Sequence, residues 1–299
     1  MVGNIVTMQQ CILFLSKQLS ILLLCLYFPA QATTIVQKIP SLNITAEATY
    51  LLGERTKPAV LILHGFLTTN QFHTITSILE FLQSEGFNAL APTLTLNISQ
   101  RRNLLKCDSL HTHTLERDII EIEYWVNWLQ SQGHSKIILI GHSSGSLEVL
   151  EFLASRPHPN VSSAIFTSLF YLNGPELGIL TEELASARML LKNRINTPSN
   201  YHFLFCNDQY YATPQSFLSY LKIDRLHTLS ALNHLKIPSY TIMGGSDQRY
   251  KKVGREWLNE LQQTSTNLVI IEGANHFFSN EYEFDLQDNI LQILTQQTP

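Results

Sequence analysis

Residues 136–147 read Lys-Ile-Ile-Leu-Ile-Gly-His-Ser-Ser-Gly-Ser-Leu, and no other stretch limits the fold as strongly. Ile137 to Ile140 form an unbroken β-branched and apolar run, the pattern of a strand buried on both faces. Beyond it, Leu147, Leu150, Leu153 and Ala154 recur at helical spacing. Between strand and helix lies Gly-x-Ser-x-Gly, Gly141 to Gly145. A strand that turns so abruptly into a helix pushes the central serine, Ser143, above the sheet. The flanking glycines are needed because a β-carbon there collides with the next element. The helix that follows aims its unpaired N–H groups and positive dipole end at whatever reacts on that serine. The bland alternative is an ordinary helix N-cap serine; the strand and helix patterns on its two sides favour the sharp turn.

The rest of the chain alternates in the same way. Residues 43–52 read as an edge strand, Ala59 to Leu63 as a compact apolar strand ending in His64-Gly65-Phe66, and Phe72, Ile75, Leu79 and Leu82 as one helix face stopping near Gly86. Phe87 to Ala91 is a further strand, followed by a polar segment from Thr93 to about Thr112. Leu115, Ile119, Ile122, Trp125, Val126 and Leu129 define an amphipathic helix ending by Gly133. Val161 to Leu169 and Ser239 to Met243 are strands, a helix lies near Lys252 to Leu261, Leu268 to Ile271 is the last strand, and a final helix starts near Tyr282. From about Asn173 to Leu235 the pattern loosens around a helix at Glu182 to Lys192, and this stretch reads as an inserted lid. Strands alternating with helices imply an α/β fold with a mostly parallel sheet covered by helices on both faces. Ligands bind such sheets beyond the C-terminal strand ends.

With 299 residues, 44% hydrophobic, the chain suits one globular domain, and a formal net charge of −4 gives no sign of a nucleic-acid partner. Residues 1–32 carry Lys17, an apolar run from Leu19 to Phe28 and then Ala30-Gln31-Ala32, the layout of a signal peptide cleaved near Ala32. The run is too short for a membrane span. The expected mature chain, 33–299, is therefore exported, periplasmic or secreted, unless the segment is retained as an anchor. It keeps Cys107 and Cys206, either as one disulfide or as two separate thiols. Asn43, Asn97 and Asn160 fit the N-glycosylation triplet, which matters only in a eukaryotic secretory pathway.

A serine becomes a nucleophile when a base takes its proton and a third group orients the base. In a sheet of this kind, those partners follow later strands. Ser239 to Met243 runs into Gly244-Gly245-Ser246-Asp247, and Leu268 to Ile271 into Glu272-Gly273-Ala274-Asn275-His276. The order Ser, Asp, His is the one this architecture uses. On four places (His64-Gly65-Phe66, the Ser143 turn, Gly245-Ser246-Asp247 and Gly273-Ala274-Asn275-His276) the chain resembles the α/β-hydrolase superfamily from about Pro58 onward. The resemblance implies Ser143 as nucleophile, His276 as general base and acid, and Asp247 as its orienting acid. It also implies an oxyanion hole from the backbone N–H groups of Phe66 and Ser144.

Other readings compete at several positions. Asp208 and Asp224 are alternative acids inside the expected lid, and Asp247 itself could serve as a plain turn residue. His142 reads as a packing neighbour of the nucleophile, and His64 as a support for the Phe66 loop. His111 and His113, near Cys107 and Asp108, hint at a metal but have no fixed frame, so neither a metal nor a cofactor is expected. Arg101 and Arg102 read as a solvated loop pair, with an anion-binding role as the alternative.

A serine nucleophile argues against haloalkane dehalogenase and epoxide hydrolase relatives, which attack with Asp. The missing Gly-Gly-Pro after the first apolar strand argues against proline iminopeptidase-like relatives. The expected activity is esterase- or lipase-like hydrolysis of a small-molecule acyl substrate: a carboxylic ester, a lipid ester or a thioester. The alternatives are a peptidase or amidase, favoured if an acidic pair such as Glu182 and Glu183 faces Ser143, and a catalytically silent binding protein. Tyr201, Phe203, Phe205, Tyr210, Tyr211, Phe217 and Tyr220 form either an apolar acyl pocket or the lid's own core.

Overall fold

The computed structural model describes residues 32–296. The expected signal peptide lies outside these residues. An eight-stranded sheet runs in the order β1 (Thr33–Ile39), β2 (Ile44–Leu51), β4 (Asn88–Thr93), β3 (Ala59–Leu63), β5 (Ile137–His142), β6 (Val161–Thr167), β9 (Ser239–Gly244) and β10 (Asn267–Ile271). The first two strands are antiparallel to their neighbours, and the pairs from β4 to β10 are parallel.

Period-2 alternation explains how the sheet supports two cores. Ala59, Leu61 and Leu63 of β3 and Ile137 and Leu139 of β5 face one core; Val60, Ile62, Ile138 and Ile140 face the other. Helices α2 (Leu115–Ser131) and α3 (Ser144–Ser155) cover the first, burying Ile122, Trp125, Leu147 and Leu150. Helices α1 (His73–Ser84) and α9 (Tyr282–Thr295) cover the second with Ile75, Ile78, Leu286 and Ile290. Both faces are dry, so the central strands read as continuous apolar runs.

Residues 43–52, expected at an edge, lie inside the sheet. β1 pairs along the whole of β2 and takes the edge position. Its half-exposed alternation, Ile35 inward with Thr34 and Val36 outward, is too weak a signal to separate it from a preceding signal segment. The helix expected near 252–261 is two, α7 (Tyr250–Val253) and α8 (Glu256–Gln262), because Gly254 takes φ +81 between them.

The segment between β6 and β9 holds α4 (Thr181–Lys192), a small hairpin of β7 (Ser199–Tyr201) and β8 (Tyr210–Ala212), α5 (Pro214–Tyr220) and α6 (Arg225–His234). Short 3₁₀ turns lie at Pro175–Leu177 and Leu204–Gln209. Its aromatic residues mostly pack on one another: Tyr201 stacks on Phe217 at 4.1 Å, and Phe203 meets Tyr210 at 4.9 Å. A disulfide joins Cys107 to Cys206, with Cα atoms 5.4 Å apart. Backbone bonds from His111 to Tyr211 and from Tyr211 to Cys107 extend the same seam. No helix among the described residues is long and apolar enough to cross a membrane.

Candidate active site

The chain leaves β3 and β5 at the same level, since Leu63 pairs with Gly141. From β3 it proceeds to β4 on one side, and from β5 to β6 on the other. Two loops thus diverge from adjacent strand ends, which opens the crevice where sheets of this class bind ligands.

Ser143 sits in that crevice with φ 57 and ψ −121. A non-glycine residue there carries on the order of 1–3 kcal/mol of strain, held by the packing around it. The Ser143 amide bonds Thr167 O at 2.9 Å, and Ser146 Oγ donates to Gly141 O at 2.7 Å and Thr167 O at 2.9 Å. Gly145 packs so tightly that a Cβ would stand 2.4 Å from His64 O; at Gly141 it would stand 2.5 Å from Gly145 O. The Gly-x-Ser-x-Gly spacing is therefore a packing requirement here.

The ends of β9 and β10 bring in the other two groups. Gly244 lies against the backbone of Ala274 and Asn275, and Ser246 N–H bonds Ala274 O at 2.9 Å. This contact sets the Asp247 loop beside the His276 loop. His276 Nδ1 is 2.6 Å from Asp247 Oδ2, and His276 Nε2 is 2.9 Å from Ser143 Oγ. Asp247 is buried, and its Oδ1 accepts the Arg249 amide at 2.9 Å. Ser168 Oγ donates to His276 O at 2.6 Å and ties the imidazole's loop to the end of β6.

His64 Nε2 accepts the Leu94 amide at 3.0 Å, so its proton is on Nδ1, which donates to Gly65 O at 2.8 Å. Thr68 Oγ1 donates to the same oxygen at 2.9 Å. A trans peptide points its N–H opposite its C=O, so this pinning of Gly65 O fixes the direction of the Phe66 N–H. Neither the Phe66 nor the Ser144 amide is taken up by another group among the described residues. The Phe66 ring anchors the loop on Phe203, Phe205 and Tyr210 at 5.3–5.8 Å. Burial and the nearby Arg101 push the His64 pKa down to about 3, so the ring stays neutral.

Arg101 fits neither expectation, whereas Arg102 is exposed as a solvated loop residue. Arg101 is buried and donates to Leu94 O, Asn103 O and Thr68 O, bracing the loop behind Phe66. Arg102 pairs with Glu47 at 2.7 Å. Among the alternative acids, Asp224 caps α6 by accepting the His227 amide, and Asp208 is exposed. His142 Nδ1 donates to Thr167 Oγ1 at 3.0 Å, because that hydroxyl gives its own proton to Gly141 O. Cys107 is committed to the disulfide and His111 stacks on Tyr210 at 4.4 Å; among the described residues no cluster of His, Cys, Asp and Glu is arranged to hold a metal.

The space beside Ser143 is bounded by Leu147, Phe170, Leu172, Leu204 and Arg249, and it is too narrow to hold a water molecule. Beyond it lies a cavity of about 340 Å³ lined by Leu177, Leu204, Phe205, Arg249, Lys251 and Lys252. Leu204 and Arg249 border both spaces. Neither follows from a sequence pattern: Leu204 lies in the loosely patterned segment, and Arg249 has only its nearness to Asp247 as a signal.

Solved structures share this architecture at low identity. Est1E from Butyrivibrio proteoclasticus superposes with a TM-score of 0.61 at 16% identity, covering 88% of this chain and 99% of that one. The alpha/beta hydrolase GrgF from Penicillium sp. sh18 gives 0.67 at 13% identity, over 90% and 99%. A thioesterase domain from the curacin biosynthetic pathway gives 0.55 at 15%, over 87% and 99%. No curated protein matches the chain by sequence. The sequence profile described as the alpha/beta hydrolase family matches residues 60–284, from β3 into α9. With the sheet order and the two loops meeting at Ser143, that match makes this chain a member of the alpha/beta hydrolase family.

Proposed function

We propose that the protein is a serine hydrolase acting on carboxylic esters, lipid esters or thioesters through Ser143, His276 and Asp247. The observation that carries this reading is the unbroken chain of short contacts from Ser143 Oγ to His276 Nε2 and from His276 Nδ1 to Asp247 Oδ2. Ser143 Oγ attacks the carbonyl carbon while its proton passes to His276 Nε2. Asp247 accepts a hydrogen bond from Nδ1–H without taking the proton, keeps Nε2 free as the base, and stabilises the imidazolium. The carbonyl oxygen becomes an oxyanion held by the Phe66 and Ser144 amides. When the intermediate collapses, the leaving alkoxide or thiolate takes the proton from His276. Water then gives a proton to His276, attacks the acyl-enzyme and releases the acid, and Ser143 regains its proton.

An acidic pair turned toward Ser143 would favour the amidase reading. Glu183 instead binds the His202 amide at 2.9 Å and its ring at 2.8 Å, Glu182 is exposed, and neither borders the space at Ser143. Ester hydrolysis is therefore the preferred reading over amide hydrolysis. Residues 173–235 act as a lid in this proposal, with Leu204 at the throat. The Cys107–Cys206 disulfide supports export, since such bonds persist in oxidising compartments.

The test is labelling of the purified protein by a fluorophosphonate probe, beside Ser143→Ala, followed by an acyl-chain series of esters. Labelling lost in the variant, with ester turnover in the wild type, supports the proposal. A folded wild type that neither labels nor turns over any ester moves the weight to a silent binding protein.

A further inference from the structure

Arg249 is a half-buried cation without a fixed anionic partner. Its backbone amide binds Asp247, but its guanidinium forms no hydrogen bond and no ion pair among the described residues. It rests on the Phe170 ring, 5.6 Å from the centroid. Asp247 makes no ion pair with the guanidinium: its oxygens bond His276 and the Arg249 amide instead. Burial draws the Arg249 pKa down from the usual arginine value, with Asp247 opposing. A guanidinium normally collects planar acceptors when it leaves water; here it faces two cavities.

Those cavities are asymmetric in charge. Neither the space at Ser143 nor the outer cavity is bordered by a carboxylate. Lys251 and Lys252, exposed and without ion-pair partners among the described residues, add two cations to the outer wall. The concentration of positive charge is local, since the chain as a whole carries −4. The remaining walls are uncharged and largely apolar: Leu177, Leu204 and Phe205 with the Gln248 amide outside, and Leu147, Phe170 and Leu172 with Ser144 and Ser168 inside.

We propose that Arg249 binds a carboxylate on the substrate, so that the preferred substrates are esters carrying a free acid group that lies in the outer cavity while the ester carbonyl reaches Ser143. This deepens the serine hydrolase reading and rests on it for the chemistry, though not for the binding. The guanidinium fork takes the carboxylate side-on, the apolar walls take the intervening carbons, and Lys251 and Lys252 draw the anion toward the mouth. Arg249 is a specificity-determining residue in this account, and Leu204 must move aside for the acyl chain to pass, since the space at Ser143 is too narrow even for water in this structure.

The test uses two matched pairs, so that either side of the ester can carry the acid. One pair is 4-nitrophenyl hemiglutarate and its methyl ester; the other is 3-acetoxybenzoate and its methyl ester. In the wild type the acid member of at least one pair is expected to have the higher kcat/KM, by about 10- to 100-fold, mostly through KM, with the preference shrinking as salt rises. Arg249→Gln is expected to abolish the preference, and Arg249→Lys to restore part of it. Neutral members favoured in both pairs would overturn the proposal. So would Arg249→Gln lowering both members of each pair by the same factor, which is the mark of a residue that only positions Asp247. If no ester is turned over at all, the serine hydrolase reading fails by itself. The Arg249 site is then decided by calorimetric binding of the same four compounds to Ser143→Ala with and without Arg249→Gln. Tighter binding of an acid member that depends on Arg249 supports it, and equal binding of acid and neutral members overturns it.

Discussion

Gly65 lies directly against Ser143: a β-carbon on Gly65 would stand 3.2 Å from Ser143 Cβ and 3.8 Å from its Oγ. The contact joins the loop after β3 to the turn after β5, and it leaves little spare room between the serine and the Phe66 amide. Gly65→Ala is expected to fold, because Gly65 has no left-handed backbone and its closest contacts are no tighter than 3.2 Å. It is expected to lower kcat/KM for ester substrates by about 10- to 100-fold, the usual cost of displacing reacting groups by an ångström or less. Gly145→Ala meets backbone at 2.4 and 2.7 Å instead, and is expected to lose about 2–4 kcal/mol of stability. Urea unfolding and ester kinetics on both variants separate the two effects.

Asp247→Asn has a predictable orientation. The side-chain oxygen that accepts the Arg249 amide must remain an acceptor, so the new NH₂ faces His276 Nδ1. The imidazole then accepts at Nδ1 and carries its proton on Nε2, facing Ser143 Oγ, where it no longer serves as a base. The expected loss in kcat is on the order of 10⁴, with little change in KM or unfolding midpoint. A loss below tenfold would show that another acid orients His276.

Stability should peak on the mildly acidic side. His64 stays neutral in the folded protein down to about 3, whereas in the unfolded chain it binds a proton below ~6.5. Its contribution is full above that value and lost as pH falls toward 3. His113 and His142 are shifted the same way by burial. Glu121 opposes them: burial raises it to about 7, so it holds a proton that the unfolded chain releases above ~4.3. That contribution is full at low pH and lost as pH rises through 7. Asp118 and Glu148 follow Glu121. The opposing slopes offset between the two unfolded values, giving a maximum at about pH 4.5–6.5. Urea midpoints at pH 4, 5.5 and 8 check this; a steady rise from 5.5 to 8 would refute it. Glu121→Gln should flatten the fall above pH 6.5.

The Cys107–Cys206 disulfide spans 99 residues and fastens the loop after β4 to the 3₁₀ turn carrying Leu204. Replacing both cysteines with serine, or adding a reductant, is expected to cost about 2–4 kcal/mol. Denaturation curves with and without dithiothreitol measure it, and the double variant should show no further response to the reductant.

The strands and helices that carry the site were legible because each obeys one strong rule. Ile137 to Ile140 had to be a buried strand, and the glycines at 141 and 145 mark a turn that tolerates no β-carbon. Asp247 and His276 were found by their place after strands, since the ends of neighbouring parallel strands meet in space. β1 escaped notice because only one of its faces packs, and Arg101 was misread because a buried arginine and a solvated one look alike in sequence.

By itself the sequence determined the parallel α/β sheet, the position of Ser143 and the order of its partners, all set by local periodicity and short-range sterics. Tertiary structure alone decided that Cys107 meets Cys206, that the aromatic residues of 201–220 mostly fill their own core, and that Arg249 and Leu204 stand between Ser143 and the outer cavity. Each depends on contacts between segments far apart in the chain or on which face of a turn meets the crevice. No periodicity records such meetings, because the burial and missing partners that give these residues their chemistry arise only once the chain has closed on itself.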